Sequence, residues 1–293
     1  MDLASAVKRI DAYERLIRLD KPIGALLLLW PTLWAVWVAA DGRPTPGIVI
    51  IFVMGTFLMR SAGCALNDWA DRDFDGHVAR TRDRPLAAGE IRPNEALAVG
   101  AVFAMLAFCF ALFLNRFAIL LSFVALAIAC LYPFAKRVFP LPQICLGIAF
   151  AFGIPMAYAS ILEALPRECW AMFAAAVCYG FAYDTEYAMV DRDDDVKIGI
   201  HTSAITLGRH DVAAVMASYA LMIAFLLWAG LGARLAWPYY AGLTTAAGMM
   251  AYHYTLIRDR SREGCFRAFR QNNWIGLTVF AGIVLSYPPF FSP

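Results

Sequence analysis

The chain has 293 residues, 61% of them hydrophobic and only 16% charged. A soluble globular chain carries about 25% charged residues, so disorder is excluded and an ordinary soluble core fits poorly. A net charge of +2 offers no basic stripe of the kind that nucleic acid binding needs, and no nucleic acid partner is expected.

A membrane-crossing helix needs about 20 mostly apolar residues. In chain order the stretches that qualify are 22–40, 47–65, 96–114, 117–134, 141–162, 169–190, 212–231, 235–257 and 274–287. The expected fold class is therefore all-α, a polytopic integral membrane protein with about nine transmembrane helices in one domain over residues 1–293. A polar segment precedes the first run and eight further runs follow it. That run reads as a retained helix rather than a signal peptide. The seven cysteines mostly sit in apolar runs with no C-x-x-C pair, and the four histidines are scattered. Neither set suggests a zinc site.

Lys and Arg are distributed unequally between the two sides of this map. Twenty fall in the amino-terminal segment and the even-numbered connections, against four in the odd ones, Arg43, Arg116, Arg167 and Arg234. The positive-inside rule then puts the amino terminus and the even connections in the cytoplasm and the carboxyl terminus outside. Arg60 alone of the basic residues falls within a span.

Two cytoplasmic connections are also dense in carboxylates. The first reads Asn67-Asp68-Trp69-Ala70-Asp71-Arg72-Asp73-Phe74-Asp75. If the helix continues through it, Asn67, Asp71 and Asp75 share a face at i, i+4 and i+8. The second runs from Asp184 to Asp195, with Asp184, Asp191 and Asp195 at i, i+7 and i+11 and Tyr187 near the same face. Two acidic stripes repel unless a cation sits between them. Carboxylates that leave coordination positions open suit Mg²⁺ together with substrate phosphates. Arg72, Arg80, Arg82 and Arg84 follow the first cluster, and Arg192 and Lys197 follow the second; Tyr132 and Lys136 share a helix face. Mg²⁺ between acids and ringed by cations is a site for a diphosphate. The bland alternative is a solvated acidic surface whose arginines only follow the positive-inside bias. Arg60 reads either as a snorkelling structural cation or as a fixed cation facing a cavity, suited to an acidic substrate.

Asp75-Gly76-His77-Val78-Ala79-Arg80 followed by Gly89 copies the opening of the CDP-alcohol phosphotransferase signature. The two aspartates that the signature needs next are Pro93 and Leu97 here. The chain instead resembles the UbiA superfamily of intramembrane aromatic prenyltransferases. Asn67, Asp68, Asp71 and Asp75 match its Asn-Asp-x-x-Asp-x-x-x-Asp motif. Asp184, Tyr187, Ala188, Asp191 and Asp195 match its second motif, and Tyr132 with Lys136 its Tyr-x-x-x-Lys pair. Residues 18–24, the Leu-Trp-Pro-Thr run to Thr32, residues 60–64 and residues 183–199 extend the likeness over essentially the whole chain.

The resemblance implies helices around a central cavity open to lipid. It implies transfer of a polyprenyl group from polyprenyl diphosphate to 4-hydroxybenzoate, ortho to the hydroxyl, in ubiquinone biosynthesis. Asn67, Asp71, Asp191 and Asp195 would hold Mg²⁺, with Asp68, Asp75 and Asp184 in the wider ligand set and Asp71 and Asp191 as candidate catalytic residues. Arg72, Tyr132, Lys136, Tyr187 and Lys197 would bind the prenyl substrate. Arg60, with Arg137 as runner-up, would take the acceptor carboxylate. The implied location is the bacterial inner membrane, multi-pass, with the site toward the cytoplasm and membrane lipid around the prenyl tail. Alternatives open on sequence are another aromatic acceptor, a cation transporter and a lipid-binding protein without metal-dependent turnover. A transporter would want charges deep in several spans, whereas here the acids lie at span ends.

Overall fold

The computed structural model describes residues 3–73, 75–77, 81–135, 137–288 and 290. Among these there are twelve α-helices and no strand. They are α1 (Leu3–Leu16), α2 (Ile23–Ala39), α3 (Pro46–Asp71), α4 (Pro93–Ala111), α5 (Arg116–Ala135), α6 (Pro142–Ala151), α7 (Gly153–Leu162), α8 (Arg167–Ile198), α9 (Ser203–Leu207), α10 (Asp211–Gly232), α11 (Trp237–Ile257) and α12 (Arg262–Leu285). Single 3-10 turns lie at Asp75–His77 and Gly208–His210.

The boundaries follow local chemistry. Thr45 caps α3 by accepting from the Ile48 amide at 3.4 Å, and Pro46 fills the first turn, where an N–H would have no partner. Ser261 caps α12 through the Gly264 amide at 3.2 Å. Gly199, at φ 71°, closes α8 in the left-handed conformation that glycine adopts without a side-chain penalty.

Every one of the nine expected apolar runs lies on helix. The fifth is broken into α6 and α7. Pro155 has no N–H to return to the carbonyl of Ala151, the last residue of α6. Five segments are long and apolar enough to cross a membrane: Pro46–Asp71, Pro93–Ala111, Arg116–Ala135, Pro142–Leu162 and Ser203–Gly232. Ile23–Ala39 is apolar but has 17 residues. Charged side chains interrupt α8 and α12.

The outer surface is apolar where a water-soluble protein would be polar. Phe113, Leu131 and Leu231 are each more than two-thirds exposed, and only 11% of the apolar window of α5 is buried. Patches of this kind belong against hydrocarbon, and the chain is a multi-pass membrane protein.

The helices close into a ring. α2 packs on α3 and α3 on α4; α5 leans on α3, α6 and α7. α6 packs on α8, α8 on α10, α10 on α11 and α11 on α12, which returns to α2. The closing seam is polar as well as apolar. Trp30 Nε1 donates to Asn273 Oδ1 at 2.8 Å, and Trp34 Nε1 to the Gly276 carbonyl at 3.0 Å. α12 also packs on α8, filling that side of the interior. The open part of the interior lies on the α2–α7 side, and α3 and α8 do not pack broadly on each other across it.

Candidate active site

The first acidic cluster forms the end of α3. Asn67 Nδ2 donates to Asp71 Oδ2 at 3.1 Å, the i,i+4 pairing that the spacing called for. The helix does not carry this face on to Asp75. α3 ends at Asp71, and Asp75 starts the separate 3-10 turn. Two contacts favour the turn over another helical turn. Arg72 Nη1 folds back on the Trp69 carbonyl at 2.9 Å, and Arg84 Nη1 holds Asp75 Oδ2 at 2.8 Å.

Asp68 points elsewhere. It is 1% exposed, and Arg18 Nη2 donates to both of its oxygens, at 2.8 and 2.9 Å. Arg84 adds a third bond at 3.1 Å. Asp68 and Asp75, both expected in the wider metal set, are therefore counter-ions of two arginines. Burial pushes the Asp75 carboxyl above its ordinary range, with Arg84 pulling the other way. For Arg84, burial lowers the pKa, but Asp68 and Asp75 outweigh it and the guanidinium is held charged. Arg18 was not singled out as a site residue from the sequence. Its partner is fifty residues away in the chain, and no local pattern announces the pair.

The second cluster is one continuous helix face. Asp191 and Asp195 are each 6% exposed, close to the 4% of Asp71. Asp184 and Tyr187 are half-buried on the same face. Asp194, off that face, pairs with Lys197 and Arg262, each at 3.4 Å. Lys197, expected at the substrate, is 72% exposed on that pair.

Tyr132 is near one acid of each cluster. Its side chain lies within electrostatic reach of Asp71 on α3 and Asp184 on α8, and of Arg60 and Cys64. Tyr187 stacks on Phe269 of α12 at 4.4 Å and is within reach of Arg60 and Arg84. Lys136 lies outside the described residues. Arg72 stands over the Trp69 ring at 4.9 Å, exposed beside the α3 end. Arg137 Nη2 donates to the Ala70 carbonyl at 2.5 Å, closing the last turn of α3.

Tyr132 helps line a cavity of about 180 Å³ enclosed by residues of α2 through α7. Its walls are small or apolar, among them Gly55, Gly63, Ala104, Ala107, Phe108, Phe123 and Ala129. Among the described residues lining it, Arg60 is the charged one. Its guanidinium lies between Gly24 and the Phe150 ring, 5.7 Å from the ring centroid. Arg60 Nε is buried with no hydrogen-bond partner. Phe150 also meets Tyr132 edge-on at 6.0 Å. An arginine with an unsatisfied donor, flanked by two aromatic rings, suits a planar aromatic acid.

The donor set at the two helix ends is all oxygen: the Asn67 amide and the carboxylates of Asp71, Asp191 and Asp195. Hard oxygen donors fit Mg²⁺. Among the described residues no three His, Cys, Asp or Glu side chains are grouped closely enough to hold a metal ion by themselves. Mg²⁺ keeps several ligand positions for water and substrate phosphate, so an open donor set is what it takes.

A sequence model of the UbiA prenyltransferase family matches residues 28–284. The chain belongs to the UbiA prenyltransferase family. The motif resemblance is thereby borne out over nearly the whole chain. A UbiA relative from Cupriavidus necator, 4-hydroxybenzoate octaprenyltransferase, is 60% identical over 96% of this chain and 99% of its own length. Among solved structures, a UbiA homolog from Aeropyrum pernix K1 superposes with a TM-score of 0.78 at 26% identity, covering 89% of this chain and 97% of that one. A UbiA homolog from Archaeoglobus fulgidus, solved with GPP and Mg²⁺, shares the fold at a TM-score of 0.68 and 17% identity, over 92% of this chain and 99% of that one.

Proposed function

We propose that this UbiA-family chain transfers the polyprenyl group of a polyprenyl diphosphate to 4-hydroxybenzoate, ortho to its hydroxyl, releasing diphosphate. One observation carries the reading most directly. Asp71 at the end of α3 and Asp184 of α8 both lie within electrostatic reach of Tyr132, which lines an apolar cavity whose charged lining residue is Arg60. The relative at 60% identity carries the name of this activity, which supports 4-hydroxybenzoate as the acceptor.

Asn67, Asp71, Asp191 and Asp195 are the residues that would hold Mg²⁺, with Asp184 beside them. Bound Mg²⁺ supplies positive charge that stabilises the departing diphosphate. Tyr132 and Arg72, with Lys136 as the motif partner of Tyr132, would orient the diphosphate. The allylic C–O bond breaks with its electron pair leaving on the diphosphate. Phe150 and the aliphatic walls keep water from the allylic cation. Arg60 holds the acceptor carboxylate, which fixes the ring against Tyr132 and Phe150. The carbon ortho to the hydroxyl then forms the new C–C bond and gives up its proton. Arg60 is preferred to Arg137 for the carboxylate because Arg60 lines the cavity, whereas Arg137 closes the end of α3. Asp68 and Asp75, paired with Arg18 and Arg84, anchor the loop after α3 in this scheme.

The prenyl tail runs among Ala104, Ala107, Phe108 and Phe123 toward lipid. We place the protein in the bacterial inner membrane with nine crossings, α6 and α7 counted as one, and with the site toward the cytoplasm; the Lys and Arg distribution supports that orientation. The acceptor assignment is tested by giving the purified protein one prenyl diphosphate and a panel of aromatic acids and quinone precursors. Turnover restricted to 4-hydroxybenzoate is expected; preference for an acceptor without a carboxylate overturns the assignment.

A further inference from the structure

The proposed chemistry uses one face of α8, and a second polar cluster lies on the opposite face. Successive helical residues advance by about 100°, which places Asp191 and Asp195 within about 20° of Asp184 and Glu186 about 200° away. Glu186 is 0% exposed in the interior of the bundle. Tyr219 of α10 donates to its Oε1 at 2.9 Å, His253 Nδ1 of α11 stands 3.1 Å from the same oxygen, and Asn272 Nδ2 of α12 donates to Oε2 at 2.7 Å. Tyr219 Oη is also 3.1 Å from His253 Nδ1 and 2.9 Å from Asn272 Oδ1. Tyr179, one face-neighbour of Glu186 on α8, donates to the Asn272 carbonyl at 2.7 Å. One carboxyl thus ties α8 to three other helices.

A carboxyl group buried at this depth is costly unless its oxygens are satisfied. The apolar packing around it cannot explain why it is there. Ala171, Ala175 and Ala182 of α8 are fully buried, and small side chains of this kind let helices approach closely without fixing their rotation. Directional hydrogen bonds do fix it.

We propose that Glu186 is a positioning residue. Held by Tyr219, His253 and Asn272, it sets the rotation of α8, so that Asp184, Asp191 and Asp195 face the α3 cluster. The inference rests on the reading that these carboxylates bind a divalent cation. The role is that of groups behind a metal ligand, whose removal typically weakens metal affinity about 10- to 100-fold.

The test is Mn²⁺ binding to the purified full chain, read by electron paramagnetic resonance with inorganic diphosphate present and no turnover. E186L and N272L are compared with Y239F. Tyr239 Oη donates to the Leu226 carbonyl at 2.7 Å, an equally buried bond remote from this cluster. E186L and N272L are expected to raise the Mn²⁺ dissociation constant about 10-fold or more. Y239F is expected to lower the melting temperature without changing Mn²⁺ binding. 4-Hydroxybenzoate binding, carried by Arg60 on α3, should hold in all three variants. If E186L does not accumulate, E186Q replaces it, with a smaller rise in the same direction. Unchanged Mn²⁺ binding in the Glu186 and Asn272 variants overturns the proposal, as does an equal loss in Y239F. If the unmodified protein binds no Mn²⁺, the metal reading fails, and the positioning role falls with it.

Discussion

The guanidinium of Arg60 rests against the bare backbone of Gly24: a methyl group there would stand 2.8 Å from Nη2 and 3.0 Å from Nε. Gly24 belongs to α2 and Arg60 to α3, so the glycine gives the cavity cation its seat. Gly24→Ala must push the far end of Arg60 aside. We predict a rise in the Michaelis constant for 4-hydroxybenzoate of about tenfold, the equivalent of about 1.4 kcal/mol. The constant for the prenyl diphosphate should stay nearly unchanged. Steady-state kinetics with each substrate varied in turn checks this.

Arg60→Ala removes the cation altogether. Loss of a hydrogen bond to a charged group costs about 1.5–3 kcal/mol, so the Michaelis constant for 4-hydroxybenzoate should rise about 10- to 150-fold. Arg60→Lys should recover only part, because an ammonium cannot reproduce the planar fork. Arg137→Ala is the comparison. It frees the Ala70 carbonyl at the end of α3, so it should weaken metal-dependent turnover and spare acceptor affinity. A selective acceptor defect in Arg137→Ala, absent from Arg60→Ala, reverses the assignment.

Arg84 bridges Asp68 and Asp75 at 3.1 and 2.8 Å. Arg84→Ala leaves Asp75 buried without its guanidinium, and breaking a buried pair from one side costs about 3–5 kcal/mol. A clear fall in melting temperature is expected in detergent. Arg84→Ala combined with Asp75→Asn should recover part of it, because the uncompensated charge is then gone. Equal melting temperatures for the single and double variants would remove the ion pair from the explanation.

The helices were legible in the sequence because a membrane span needs only length and apolarity, and every expected run falls on helix. Hydropathy could not show the break between α6 and α7, since Pro155 and Gly153 are themselves apolar and small. α1 and α9 lie outside any apolar run and went unread. Helical phase correctly paired Asn67 with Asp71 and put Asp184, Asp191 and Asp195 on one face of α8. The same phase argument misplaced Asp75, because it assumed a helix that the Arg84 pair replaces with a turn. Partners from distant segments, such as Arg18 for Asp68 and Gly24 for Arg60, leave no local trace. Glu186 was hidden among the aspartates; only the packing of α10, α11 and α12 separates its face from theirs.

The twenty-to-four division of Lys and Arg makes the proposed topology testable. A reporter fused after Ser292 should report the periplasm, and one inserted within residues 73–84 the cytoplasm. The same side for both would require an even number of crossings between them.

Mass spectrometry of membranes carrying the protein, incubated with 4-hydroxybenzoate and a polyprenyl diphosphate, bears most directly on the proposed joint action of the α3 and α8 acids. With Mg²⁺ the product should have the mass of 4-hydroxybenzoate plus one prenyl group less one hydrogen. EDTA should abolish it and Mg²⁺ restore it. Asp71→Ala and Asp191→Ala should each make none while still inserting in the membrane. Full product formation in metal-free membranes, or by either variant, would contradict a site built from these two helix ends.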